Sequence, residues 1–270
     1  MAVNAPLQLD LRDGVATVTI DNPPINLFDL ALYLAMSEMA QQLAADPEVR
    51  VVVLRSANPE FFIAHFDVTL IQHLPTDAGM PTELNAFHAM CEAFRTMPKA
   101  TIAVVEGRVG GGGSELALSC DMRFAALGQA VFNQPEVALG ILPGGSGTVR
   151  LPRLIGRSRA LEVILGCDDV SAELAERWGW VNRALPPNEL WPFVDRLARR
   201  IASFPPHAVA AAKAAVLRAE KDVAADLLLE GGAFNDTLGH PSTVDALAGF
   251  MARGGQTLEG ELRLGDLAAE

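Results

Sequence analysis

The chain has 270 residues, of which 50% are hydrophobic and 20% charged, and this composition excludes an intrinsically disordered protein. Its formal net charge of -12 argues against nucleic acid as a partner, because phosphate binding requires a basic surface. No apolar run approaches the roughly 18 residues of a membrane-spanning helix, and the first residues, MAVNAPLQLDLRDG, lack the apolar core of a signal peptide. We therefore expect a globular protein of the cytoplasm, with no membrane or nucleic-acid partner.

The three cysteines, Cys91, Cys120 and Cys167, are odd in number and far apart. They fit neither a disulfide framework nor the spacing of zinc ligands. We expect them to be buried as small hydrophobic residues.

The first half of the sequence predicts strands that alternate with helices. In chain order, the predicted elements are a strand at 15–20, a helix at 27–45, a strand at 51–54, a helix at 84–94, a strand at 101–105, a helix from Ser114 or Glu115, and a strand at 122–125. The apolar run at 51–54 is typical of a strand that is covered on both faces. This order indicates a sheet rich in parallel strands with crossover helices, which is an α/β fold.

From Ser171 onward the predicted structure is mostly helical and rich in alanine, with one short apolar segment at 180–185. We predict an α/β core over residues 1–190 and a helical C-terminal part over residues 191–270.

The glycine run GRVGGGGSEL at 107–116 does not match the common glycine motifs. The sixth position of a dinucleotide fingerprint is occupied by Glu115, no G-K-[ST] follows the glycines, and neither Ser114 nor Ser146 lies in G-x-S-x-G. The sequence also lacks H-E-x-x-H. We therefore expect no nucleotide cofactor, no metal and no serine nucleophile.

Two explanations of the glycine run remain, a tight turn and a ligand-binding backbone. A strand, a glycine turn and a helix start together leave N–H donors exposed, and glycines let a ligand approach them closely. Such donors can stabilise a carbonyl oxygen that gains negative charge. Glu115 lies in the first turn of the predicted helix, where a carboxylate is also favoured by the helix dipole alone.

A second carboxylate, Glu136, lies in FNQPEVALG at 132–140, between a proline and an apolar run. If it is partly buried, its pKa is raised, and such a group suits general acid–base catalysis near neutral pH. The alternative is a surface glutamate at the start of a strand.

Residues 98–155 resemble the signature of the crotonase, or enoyl-CoA hydratase/isomerase, family. Further similarity lies at 15–28 (VATVTIDNPPINLF), 49–67 (VRVVVLRSANPEFFIAHFD) and 171–186 (SAELAERWGWVNRALP). The resemblance implies an α/β, crotonase-like spiral of ββα units with a helical C-terminal trimerisation part. It also implies a homotrimer or homohexamer.

The resemblance further implies an acyl-CoA thioester substrate, with coenzyme A as part of that substrate and no separate cofactor. The residues that match the family's site are Glu115 and Glu136 as catalytic residues, Phe66 and Gly112 as backbone N–H donors of an oxyanion hole, and Ala64, His65, Gly111 and Gly144 as substrate-binding residues. In the hydratases of this family both catalytic positions are glutamates.

The chain departs from the family pattern at His65 and Phe66, where relatives usually have a glycine followed by a small residue. His65 is interpreted either as a catalytic acid or as a residue of the loop or pocket wall. The C-terminal FMARGGQTLEGELRLGD also lacks the lysine-rich ending of many relatives.

The two glutamates make enoyl-CoA hydration the leading interpretation. An isomerase, or another acyl-CoA lyase or hydrolase on the same scaffold, is the first alternative. A non-catalytic binding relative, such as an RNA-binding protein, is the second, and the acidic charge counts against it.

Overall fold

A computed structural model describes residues 5–269. Its strands are β1 (Leu7–Arg12), β2 (Val15–Ile20), β3 (Val51–Ser56), β4 (Phe61–Ile63), β5 (Ala100–Val105), β6 (Arg108–Gly110), β7 (Met122–Ala126), β8 (Val131–Asn133), β9 (Val170–Ser171) and β10 (Arg183–Leu185). They form a six-stranded sheet in the order β1-β2-β3-β5-β7-β10 and a four-stranded sheet in the order β4-β6-β8-β9. The pairs β1–β2 and β8–β9 are antiparallel, and the other pairs are parallel. The predicted parallel-rich α/β fold is confirmed.

The helices are α1 (Leu30–Ala45), α2 (Val68–Ile71), α3 (Ala86–Thr96), α4 (Gly111–Ser119), α5 (Gly147–Ile155), α6 (Arg157–Gly166), α7 (Ala172–Trp178), α8 (Pro187–Ala202), α9 (Pro206–Leu217), α10 (Val223–Leu238), α11 (Pro241–Ala252), α12 (Leu258–Glu261) and α13 (Leu264–Ala269). A 3₁₀ helix spans Glu136–Leu139. The predicted helix at 27–45 begins three residues late in the structure, at Leu30, because the Asp29 carboxylate caps it and accepts from the Leu32 N–H at 2.8 Å.

The central strand β3 is buried on both faces, as its apolar run predicts. Side chains alternate across a strand, so Val52 and Leu54 face the core that includes α1, α3 and α4, whereas Val51 and Val53 face α8. The two faces together leave no polar position in the run. The large sheet is therefore covered by helices on both sides.

Helix α8 packs on the large sheet through Leu190, Val194, Ala198 and Ala202. The predicted boundary at residue 190 falls within this helix. The division into a core at 1–190 and a helical part at 191–270 stays a prediction.

All three cysteines are free and buried, which confirms that prediction. Within residues 5–269, no helix is both long and apolar enough to cross a membrane.

Candidate active site

The glycine turn brings α4 against the loop that follows β4. The helix begins at Gly111 rather than at Ser114 or Glu115 as predicted, with Gly110 as its N-cap. Gly111 has φ of 43°, and a Cβ there would lie 2.9 Å from Glu136 Oε1. A Cβ on Gly113 would lie 2.6 Å from Ile63 Cβ. The bare backbone thus permits a packing distance that side chains forbid, and the run is more than a tight turn.

Two backbone N–H groups lie side by side where α4 meets this loop. The Phe28 N–H donates to the His65 carbonyl at 2.9 Å, and the Phe28 carbonyl accepts from the Asp67 N–H at 3.2 Å. These two bonds hold the residues on both sides of Phe66. Among the backbone bonds of residues 5–269, none uses the Phe66 N–H. Gly112 lies in the first turn of α4, where N–H groups have no acceptor within the helix. A Cβ on Gly112 would lie 3.5 Å from the Phe66 nitrogen, so the two donors are close neighbours.

Glu115 is held by the loop before α5. Its Oε1 accepts from the N–H groups of Gly145 and Gly147, both at 2.8 Å, and the residue is only 3% exposed. Burial raises the pKa of Glu115 well above its usual range. The negative charges of Glu136 and Glu230 raise that pKa further, against the two N–H groups, which lower it.

Glu136 opens the 3₁₀ helix directly after Pro135 and is 8% exposed, so the alternative of a surface glutamate at a strand start is wrong. The Gln134 Nε2 donates to Glu136 Oε2 at 3.4 Å. Burial raises the pKa of Glu136 to about 7, although a backbone hydrogen bond of its own and the charge of His65 oppose the rise. The predicted raised pKa of this carboxyl is confirmed in direction.

A cavity of about 380 Å³ opens beside these groups. Of the residues assigned from the sequence, its wall contains His65, Phe66, Gly111, Gly112, Glu115, Glu136 and Gly144. Ala64 does not line this cavity: it is buried, and its N–H donates to the Ile25 carbonyl at 3.2 Å. Its assignment as a substrate-binding residue stays a prediction.

An aromatic cluster forms one wall of the cavity. Phe66 packs against Phe28, Tyr33 and Phe87, with ring centroids 6.1, 6.2 and 5.7 Å away. Tyr33, Phe66 and Phe87 line the cavity. The bulk of Phe66, which departs from the family pattern, is thus accommodated by neighbouring rings while its N–H stays available.

The imidazole of His65 is buried on the side of the loop that meets α12. Its Nδ1 lies 2.8 Å from the Phe66 carbonyl oxygen, and its Nε2 lies 2.9 Å from Glu261 Oε1. These contacts favour the interpretation of His65 as a loop residue.

Glu230 is a third buried acid near the site that the sequence interpretation missed. Its Oε2 lies 3.0 Å from His88 Nε2. Its Oε1 accepts hydrogen bonds from the Val149 N–H at 3.1 Å and from the Thr148 hydroxyl. The detectable signal was a single acid in the apolar stretch LLLEGG at 227–232. In the described part of the chain, no group of three or more His, Cys, Asp or Glu side chains is arranged to hold a metal ion.

The chain belongs to the enoyl-CoA hydratase/isomerase family, whose model matches residues 10–258. It is 33% identical to the short-chain-enoyl-CoA hydratase of Clostridium acetobutylicum over 91% of this chain and 94% of that protein. It is likewise 33% identical to the crotonyl-CoA hydratase of Syntrophomonas wolfei, again over 91% of this chain and 94% of the relative. Among solved structures, a candidate enoyl-CoA hydratase of Streptomyces avermitilis superposes with a TM-score of 0.90 at 38% identity, covering 99% of this chain and 98% of that one. The crotonase-like fold predicted from the sequence is confirmed.

Proposed function

We propose that this protein is an enoyl-CoA hydratase that adds water across the 2,3 double bond of an enoyl-CoA thioester. The observation that carries the proposal is the pairing of Glu115 and Glu136, two buried carboxyls on the wall of one cavity, beside the two available N–H donors. The 33% identity to hydratases that act on short enoyl-CoA and crotonyl-CoA supports the same substrate class.

In the proposed reaction, the N–H groups of Phe66 and Gly112 hold the thioester oxygen. That oxygen gains negative charge as the enolate forms, so the donors stabilise the transition state more than the ground state. Gly111, Gly144 and His65 also line the cavity. Coenzyme A is carried by the substrate, and no further cofactor takes part.

The two carboxyls share the proton transfers. Burial raises both pKa values, and the charge of Glu136 raises that of Glu115 further, which favours one shared proton near neutral pH. One carboxylate accepts a proton from water as the water oxygen bonds to C3, and the other carboxyl donates a proton to C2. The pair begins and ends with one proton, and the product is the 3-hydroxyacyl thioester.

The test is hydration of crotonyl-CoA by Glu115→Gln and Glu136→Gln. Glutamine keeps the shape but cannot exchange the proton, so each variant should lose at least ~100-fold in turnover. The exposed Glu189 provides a matched control, since Glu189→Gln should retain wild-type turnover. If Glu115→Gln hydrates normally while Glu136→Gln is inactive, single-base isomerisation of the double bond becomes the better account.

We further propose that the protein is a homotrimer or homohexamer in the cytoplasm. No residue of α9, which lies wholly in the described part of the chain, is buried, although this helix is largely apolar. A contact with other copies of the chain would cover such a face.

A further inference from the structure

The C-terminal segment reaches back to the loop that carries the first proposed donor. Glu261, the last residue of α12, contacts His65 through Nε2 at 2.9 Å, and the two side chains are 1% and 4% exposed. The Phe250 ring packs edge-on against the imidazole, with centroids 5.8 Å apart. The pair is therefore shielded from water.

The hydrogen-bond geometry defines the charge of this pair. Nδ1 of His65 faces the Phe66 carbonyl oxygen, which can only accept, and Nε2 faces Glu261 Oε1, which accepts in the ionised carboxylate that the lowered pKa of Glu261 favours. A neutral imidazole has one N–H, so both contacts require the imidazolium form. Burial alone lowers the pKa of His65, but the charge and hydrogen bond of Glu261, together with the Phe66 carbonyl and Glu136, raise it overall.

Gln256 adds further bonds from the same segment. Its side chain accepts from the Val68 N–H at 2.7 Å and donates to Asp67 Oδ1 at 2.9 Å. Its own N–H donates to Glu261 Oε1 at 2.7 Å. Residues 256–261 thus hold residues 65–68 through His65, Asp67 and Val68, on both sides of the Phe66 peptide.

We propose that Glu261 and His65 are positioning residues, whose buried ion pair fixes the 65–68 loop so that the Phe66 N–H points at the thioester oxygen. This inference rests on the proposed function, in which that N–H is an oxyanion donor. A misplacement of about 1 Å in such a group can cost about 100-fold in rate. The C-terminal segment then contributes to catalysis without touching the substrate.

The charged groups around the pair determine its pH dependence. His65 faces the charges of Glu261 and Glu136, and Glu261 also faces that of Arg108. Asp67 lies on the same loop as His65 and is bonded to Gln256. Burial raises the pKa of Glu261, but His65, the Gln256 N–H and Arg108 lower it overall, so the carboxylate persists near neutral pH. The ion pair is lost when the pH rises through the raised pKa of His65 and, at the acid end, when the pH falls through the lowered pKa of Glu261.

The experiment compares Glu261→Gln with Glu259→Gln in crotonyl-CoA hydration across pH. Glu259 lies on the same helix and is exposed, so its variant is the matched control. We expect Glu261→Gln to lower kcat by ~10- to 100-fold with KM within about 2-fold, because the donor acts mainly in the transition state. The basic limb of the kcat–pH profile of Glu261→Gln should move to lower pH than in the wild type, since the imidazolium has lost its carboxylate partner.

A double-mutant cycle separates positioning from general damage. If the pair acts as one unit, adding Glu261→Gln to His65→Ala should lower kcat no further than His65→Ala alone. Hydrogen exchange of the peptide over residues 62–70 should be faster in Glu261→Gln than in Glu259→Gln, a readout that requires no activity. The inference would be overturned if Glu261→Gln had the kcat, pH profile and hydrogen exchange of the wild type. It would also be overturned if the losses of the two single variants multiplied in the double variant.

Should Glu261→Gln not fold, His65→Gln serves instead, because its amide can still donate to Glu261 without a charge. The His65→Gln variant should keep a higher kcat than His65→Ala, and equal kcat values of the two variants would overturn the positioning role. A wild-type protein that hydrates no enoyl-CoA would refute the proposed function, whereas an active wild type with an unaltered Glu261→Gln variant refutes the positioning role alone.

Discussion

The carboxyl group of Glu136 is held where an ionised acid is poorly solvated. Its pKa of about 7 in the folded chain lies above that of a carboxyl in the unfolded chain. Both states are protonated at low pH, so the residue costs no stability there. As the pH rises to about 7, only the unfolded state ionises, and stability falls.

We therefore expect Glu136→Gln to stabilise the protein at pH 8 and to do so less at pH 5. The gain at pH 8 should be on the order of 3 kcal/mol, since the amide needs no ionisation in the fold. Denaturant unfolding of both proteins at the two pH values measures the difference. A gain that is equal at both pH values would show that the stabilisation does not come from ionisation.

Gly112 offers a test of a single N–H group. Gly112→Pro removes the proposed donor at a position in the first helical turn that tolerates proline, and turnover should fall by ~100- to 1,000-fold. Gly112→Ala keeps the N–H and adds a Cβ 3.1 Å from Phe66 Cβ, so it reports crowding alone. Steady-state kinetics with crotonyl-CoA should show a much smaller loss for alanine. Equal losses would assign the effect to crowding and remove Gly112 as a donor.

The loop between the 3₁₀ helix and α5 holds Glu115 in place, and its glycines are required by that contact. A Cβ on Gly145 would overlap Glu115 Oε2 and would lie 2.6 Å from Phe87 Cε1. The same loop supplies both N–H donors to Glu115 Oε1. Position of the carboxyl and conformation of the loop are therefore coupled.

We expect Gly145→Ala to lower turnover on the order of 100-fold, because the added methyl group displaces the Glu115 carboxyl. Gly166→Ala is the control, since no atom lies within 4 Å of a Cβ placed at Gly166. Both variants should be assayed for crotonyl-CoA hydration and for thermal unfolding. Wild-type turnover in Gly145→Ala would mean that the loop adapts and that Glu115 is not held there rigidly.

The molecule as a whole exposes apolar side chains that its own fold leaves uncovered. Val216 in α9 is 71% exposed and Leu229 in α10 is 58% exposed. Large exposed apolar patches are typical of surfaces between subunits.

Light scattering at micromolar concentration should give a mass three or six times the chain mass of 28.7 kDa. Val216→Asp should shift that mass toward the single chain, because an unpaired carboxylate is costly to bury in an apolar contact. A single-chain mass for the wild-type protein would contradict the proposed assembly.

The sequence by itself determined the family and the alternation of helices with strands β2, β3, β5 and β7 of the large sheet, whereas the short strands of the four-stranded sheet were not predicted. Periodicity is local, so the buried strand at 51–54 and the amphipathic elements around it could be predicted from neighbouring residues. The two glutamates were also found locally, since each lies in a short motif beside glycine or proline. Even so, the start of α4 was placed too late, because glycines oppose helix formation unless close packing against Ile63 and Phe66 stabilises it.

Tertiary structure alone decided which distant residues complete the site. Glu261 meets His65 across 196 positions and Glu230 meets His88 across 142, distances along the chain at which no local pattern carries information. The same holds for Ala64, whose N–H donates to the carbonyl of the distant Ile25. The motif around Glu136 predicted the direction of its pKa through burial, but the raised pKa of Glu115 depends on the groups that the fold places around it, among them Glu136 and Glu230.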